Sequence, residues 1–261
     1  MKVALIPPAG LLRTVADQPM HMVIPEGCKT KEYKNFYRDI GLSPDVTIML
    51  DNGAYEEANK ESLRADRLVR LIYEFRADIF VLPDAMRDGG RTIALARDFL
   101  HYWDMYHIEY LPKPVQFMGV VQGHDLHSMR KCITSYEELE EQFEMSLVLG
   151  LSKWMTQEKG SGSRMMLATL IEEHFPHSIH LLGMSKAWPK EILYAAQACP
   201  NINSVDATAP FTYAMSGLKL GVDEAPGRPA NYFGADTKSV DEELLKANLD
   251  TLWSWADGRE A

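Results

Sequence analysis

Short apolar runs alternate with longer amphipathic ones along almost the whole chain, and this alternation restricts the available folds more than any other feature of the sequence. Strand-like runs fall at 2–7 or 21–24, then at 46–50, 78–82, 115–121, 146–149, 179–182 and 202–205. Helix-like stretches separate them at 31–40, 62–75, 90–107, 135–143, 163–174 and 190–198, and a last helix is predicted over 240–256. Ser239, with Glu242 three residues on, opens that last stretch in the pattern of a capping box. Strands alternating with helices of this length imply βαβ units and a parallel sheet. Seven or eight such units in 261 residues fit a closed α/β barrel of eight strands, with a doubly wound open sheet as the alternative. No G-x-G-x-x-G follows the first strand, which argues against a dinucleotide site. No linker rich in Pro, Gly or Ser divides the chain, so residues 1–261 read as one domain that ends in a helix at 239–257. The stretch 221–234 reads as a long loop before that helix.

In a parallel barrel, the residues at the C-terminal strand ends converge on one mouth. Here VTIML ends on Asp51, IFVLP on Asp84, GVV on Gln122 and NSV on Asp206, while LVL and HLL end on Gly150 and Gly183. One such Asp is an ordinary turn or capping residue, because its side chain bonds nearby backbone N–H groups. Three of them with an amide at equivalent places describe an active site. Three carboxylates can hold a divalent metal through oxygen ligands. They can equally divide into a nucleophile, an acid/base and a recognition group, since crowding lets one carboxyl keep a proton while another stays ionised. Substitution at an anomeric carbon needs that division: one carboxylate attacks and another protonates the leaving group. A carboxylate and an amide also match the N–H and C=O groups of a purine. Glycines let a flat ring lie against the backbone, and Tyr55 in DNGAYE is placed to stack on it.

The remaining features set bounds. A net charge of −10 argues against a surface coated for nucleic acid. Lys153 and Lys186 nevertheless follow the two glycine strand ends, and Arg87, Arg91, Lys159, Arg164 and Lys190 fall in or just after βα loops, so all seven are expected as phosphate contacts at the mouth. Cys28, Cys132 and Cys199 are far apart, which points to a reducing, cytoplasmic compartment and forms no metal cluster. No apolar run approaches the roughly 20 residues that span a bilayer, and MKVALIPPAG fails as a signal peptide. His124 and His127 lack a third ligand nearby and read as loop or surface residues. Glu137 to Glu144 read as a solvated helix face. Leu95, Phe99, Tyr102, Trp103 and Tyr106 read as core packing on one helix.

Five segments carry a family resemblance. DNGAYE resembles the D-S-G-G-[FY]-Q motif of the tRNA-guanine transglycosylases, and GVVQG resembles their G-[IV]-V-Q-G motif. LGLSK, HLLGMSKAWPKEIL and SVDATAP are similar, in order, to the family's glycine-rich base-binding turn, its L-M-G-V-G-x-P-x-x-L segment and its F-D-C-V-x-P segment. The matches keep the family's order from Asp51 to Pro210. The resemblance implies a TIM barrel that exchanges guanine in a polynucleotide for a 7-deazaguanine without a cofactor. It makes Asp206 the nucleophile on C1′ and Asp51 the general acid/base. Asp84, Gln122, Gly150, Leu151 and Gly183 would bind the base, Tyr55 and Leu182 would sandwich its ring, and Lys153, Lys186, Arg87 and Arg91 would meet the phosphates.

The departures are specific. The family's C-x-C-x-x-C…H zinc site after the nucleophile has no counterpart, because no Cys or His follows Asp206. PFTYAMSG stands where the family has P-T-R, and Asn52, Ala54 and Glu56 replace its Ser, Gly and Gln. A short chain without a zinc module looks most like the phage-type branch that modifies DNA, which would place it in the host cytoplasm. DNA is therefore the expected partner and tRNA the alternative, with a homodimer or an accessory protein left open. A hydrolase acting on nucleosides or glycosides, or a non-catalytic nucleic-acid-binding subunit, would use the same barrel.

Overall fold

The computed structural model describes residues 1–54, 64–106, 113–160, 162–185 and 190–260. Every apolar run is a strand: β1 (Lys2–Leu5), β2 (Met20–Val23), β3 (Thr47–Leu50), β4 (Ile79–Val81), β5 (Gln116–Val121), β6 (Leu147–Ser152), β7 (Ile179–Leu182) and β8 (Ile202–Ala207). Residues 2–7 and 21–24 are thus not alternatives, since each contributes a strand. All neighbours pair in parallel, and β8 returns to β1 in the register Lys2↔Ser204 through Leu5↔Ala207. The sheet is a closed eight-stranded TIM barrel, which removes the open doubly wound alternative. The short strands are buried on both faces, as parallel strands under a helical layer must be.

The helices are α1 (Lys31–Ile40), α2 (Ala65–Phe75), α3 (Gly89–Tyr106), α4 (Leu126–Gln142), α5 (Trp154–Lys159), α6 (Ser163–His174), α7 (Glu191–Ala198), α8 (Ala209–Met215) and α9 (Glu242–Ala256). The longer helices bury an apolar stripe, such as Tyr33 and Tyr37 on α1 or Leu68, Ile72 and Phe75 on α2. Full burial of one such side chain contributes roughly 1.5–3 kcal/mol, so these stripes decide where the helices lie. On α3, Phe99 joins Phe80 in the core at 4.7 Å between ring centroids, whereas Tyr106 at its end is exposed.

Two helix starts differ from expectation, and two short helices are added. α4 starts well before residue 135, because Asp125 and Ser128 cap it reciprocally, with Ser128 N–H donating to Asp125 Oδ1 at 2.7 Å. α9 is capped by Asp241, which accepts from the N–H groups of Glu243 and Leu244 at 2.9 and 3.1 Å, so Ser239 is not its cap. α5 and α8 are short helices in stretches for which the sequence suggested no element. The loop after α8 is held by Asn248 of α9, which accepts from Leu220 N–H at 2.8 Å and donates to Leu218 O at 3.0 Å.

Candidate active site

The C-terminal strand ends open into a cleft of about 1360 Å³. Asp51, Asp84, Gln122, Leu182, Gly183 and Asp206 all line it, as do Lys153 and Arg91. Strand periodicity explains part of this: side chains two apart share a face, so Ser204 and Asp206 on β8 both point into the barrel.

Asp206 is nearly enclosed, and its Oδ1 is the better-held oxygen. Gly183 N–H donates to it at 2.7 Å, and His180 Nε2 lies 3.2 Å away. Gly183 adopts a φ of 73°, in the left-handed region, and a Cβ there would meet Lys153 Cδ at 2.8 Å. Glycine therefore serves the turn and leaves room for the lysine stem. Behind Asp206, His180 Nδ1 is 2.8 Å from Ser204 Oγ, and the two residues face each other in the β7–β8 register. No hydrogen bond to Asp206 Oδ2 is present among the described residues.

The opposite rim holds a second network. Asn52, buried after β3, donates from Nδ2 to Leu82 O at 2.7 Å and to Asp84 Oδ1 at 2.9 Å. Gln122 donates from Nε2 to Asp84 Oδ2 at 2.7 Å. The Gln122 Oε1 is itself fixed by Arg87 N–H at 2.8 Å and Trp154 Nε1–H at 3.1 Å. Enclosure of the Asp84 carboxyl raises its pKa above the ordinary 3.8, while the Asn52 and Gln122 amides partly offset that rise. A carboxylate offers about four lone-pair sites, so two remain for the N–H groups of a ligand. Asp51 directly precedes Asn52 of this second network, and its Oδ2 accepts Gly53 N–H at 3.0 Å.

Several expected residues lie elsewhere. Gly150 is within β6 and not at its end, and a Cβ on it would meet Leu182 Cδ1 at 2.9 Å and Met118 Sδ at 3.0 Å. It makes room inside the barrel, and Ser152 takes the lining position two residues on. Leu151 is on the other face of β6, buried against the helical layer. Arg87 is outside the cleft lining, paired with Glu158 and 6.0 Å from the Trp154 ring. Lys159 and Lys190 are exposed away from the cleft. Tyr55 and Lys186 lie outside the described residues.

Arg164 is a correction. It is fully buried, paired with Glu191, and donates from Nη1 to the carbonyls of Leu151, Leu182 and Gly183 at 3.1, 3.3 and 3.0 Å. Thr156 Oγ1 completes the set by donating to Glu191 Oε1 at 2.7 Å. A guanidinium so enclosed ties the ends of β6 and β7 together and is closed to a phosphate. The shared-metal reading of the three carboxylates is not supported either. Among the described residues, no three His, Cys, Asp or Glu side chains converge closely enough to hold a metal ion.

Sequence reasoning missed His180, Ser204, Trp154 and Arg228. His180 and Ser204 sit two residues before Leu182 and Asp206, so the same-face rule applied one layer deeper would have found them. Arg228 lines the cleft from the loop after α8, over the rings of Tyr232 and Phe233 at 5.3 and 5.4 Å. The fold and mouth together define an α/β barrel whose cleft joins one restrained carboxylate to a carboxyl–amide cluster. No protein-family model and no curated protein matches the chain, so the transglycosylase resemblance rests on its five motifs. Among the described residues, no helix is long and apolar enough to cross a membrane.

Proposed function

We propose that the chain is a base-exchange glycosyltransferase that replaces guanine in DNA with a 7-deazaguanine through a covalent glycosyl–Asp206 intermediate. The observation that carries this reading is Asp206 itself, whose Oδ1 is held by Gly183 N–H while Oδ2 makes no hydrogen bond to a described residue. Oδ2 attacks C1′ of the target nucleotide, the bond from C1′ to the base breaks, and the base leaves with that electron pair and a proton from Asp51. In the return half, Asp51 takes the proton from the incoming 7-deazaguanine. The incoming base bonds to C1′, and Asp206 departs as a carboxylate. Asp84 and Gln122 hold the edge of each base.

The cleft supports a polymer substrate. At about 1360 Å³ it exceeds the ~300–1,000 Å³ of ordinary small-molecule pockets, leaving room for an extruded nucleotide with its flanking backbone. Extrusion from a duplex costs a few kcal/mol, so single-stranded DNA should react faster than closed duplex. Arg91, Lys153 and Arg228 at the cleft are the phosphate contacts of this reading.

The test offers labelled guanine with tRNA, single-stranded DNA and duplex DNA of matched guanine content in competition. Label entering DNA, fastest in the single strand, is the expected result. Label confined to tRNA would overturn the choice of DNA, and base release without incorporation would point to a hydrolase. Asp206→Asn should lose the denaturation-resistant protein–DNA adduct, because an amide is a poor nucleophile. An adduct that survives this change would show that another residue attacks.

A further inference from the structure

We infer that His180 is a positioning residue for Asp206, a role that rests on the transglycosylase reading and adds a residue to it. Three groups lie in a line across adjacent strands: Ser204 Oγ, His180 Nδ1 at 2.8 Å from it, and Asp206 Oδ1 at 3.2 Å from His180 Nε2. The imidazole is completely enclosed in the barrel interior, where an apolar side chain would fill the same space without burying polar nitrogens. The neutral imidazole satisfies both contacts in one tautomer only: Nε2–H donates to the carboxylate, and the Ser204 hydroxyl donates to Nδ1. Ser204 thus selects the tautomer that can hold Asp206.

The consequence is directional. Gly183 N–H and His180 Nε2–H converge on the same oxygen, Oδ1, and fix the plane of the carboxylate. Oδ2 is the oxygen left to attack. Without His180, Gly183 alone holds Oδ1, and the carboxylate can rotate about that single contact. The bond-forming step should then slow, while DNA binding, which uses groups at the rim, should not change.

The test measures exchange of labelled guanine into a guanine-containing single-stranded oligonucleotide, with kcat and KM determined separately. His180→Leu should lower kcat about 10- to 100-fold, the scale of one hydrogen bond to a charged group, and leave KM for the oligonucleotide unchanged. His180→Gln, whose amide can donate to the carboxylate, should recover most of the loss, and Ser204→Ala should give a smaller loss. A His180→Leu enzyme with wild-type kcat, a defect confined to KM, or a Gln variant no better than Leu would each overturn the inference. If His180→Leu does not fold, nitrogen NMR of the wild-type imidazole decides: the Nε2–H tautomer is expected, and the Nδ1–H tautomer overturns the inference. Wild-type protein that shows the Nε2–H tautomer but no exchange and no adduct would instead refute the transglycosylase reading, and the positioning role with it.

Discussion

Replacing Arg164 with Met should be among the most damaging single changes to stability, and its size follows from the surroundings. The guanidinium and the Glu191 carboxylate are buried at 0% and 1% side-chain exposure, and only Thr156 would remain on the carboxylate. Breaking a buried pair by removing one partner typically costs about 3–5 kcal/mol, because the other charge is stranded. Leu182 O keeps Lys153 N–H as a second partner at 2.9 Å. The bonds from Nη1 to Leu151 O and Gly183 O disappear. At roughly 2–4 °C per kcal/mol for a chain near this size, Arg164→Met should lower the melting temperature by about 6–20 °C. Adding Glu191→Gln removes the stranded charge while keeping an acceptor for Thr156, so the double variant should recover most of the loss. The residual deficit, about 1–3 kcal/mol, belongs to the undersatisfied carbonyls. Thermal unfolding followed by circular dichroism reads both values. An Arg164→Met protein melting within about 2 °C of the wild type, or a double variant no better than the single, would refute this account of the pair.

Two further outcomes are expected. Asp51→Asn should reduce base release by about 10²–10⁴ with oligonucleotide binding little changed, as measured by single-turnover kinetics beside a binding titration; equal losses in both would remove its acid/base role. Asp84, with its folded pKa raised by enclosure, takes up its proton in the native state before the unfolded chain does as pH falls. The wild type should therefore gain stability relative to Asp84→Asn as pH is lowered from 7 toward the ordinary carboxylate range, and denaturant unfolding showing a pH-independent gap would contradict the shift.

The strand ends were legible because the barrel imposes a rule that the sequence obeys. A run such as VTIML or NSV must stop at the mouth, so Asp51, Asp84, Gln122 and Asp206 could be placed on the cleft before any coordinates. What lay one layer below was not legible, because His180 and Ser204 sit inside ordinary-looking strands and become a pair only through the β7–β8 register. Arg164 was misread for a related reason. At the start of a helix after a loop it resembles a phosphate ligand, and only the approach of Glu191, at the start of α7, shows that the guanidinium is already claimed. Gly150 was misplaced because β6 continues to Ser152, and an apolar run does not mark where its ladder ends. The start of α9 depended on whether Ser239 or Asp241 captured the first free N–H groups, a competition between two good caps.

Closure of the barrel has a consequence during synthesis. β1 pairs with β2 on one edge and with β8 on the other, with Ala4 opposite Asp206, so that second edge waits for a strand made about 200 residues later. At ~5–20 residues per second, the delay is on the order of 10–40 s. An unpaired edge templates pairing with other chains, so premature termination before Ile202 should yield aggregates and not a weakened barrel. Asp206 arrives on that same final strand, and until it does, Gly183 and His180 have no carboxylate to hold. A nascent chain keeps an exposed edge and an incomplete cleft until its last strand closes the ring.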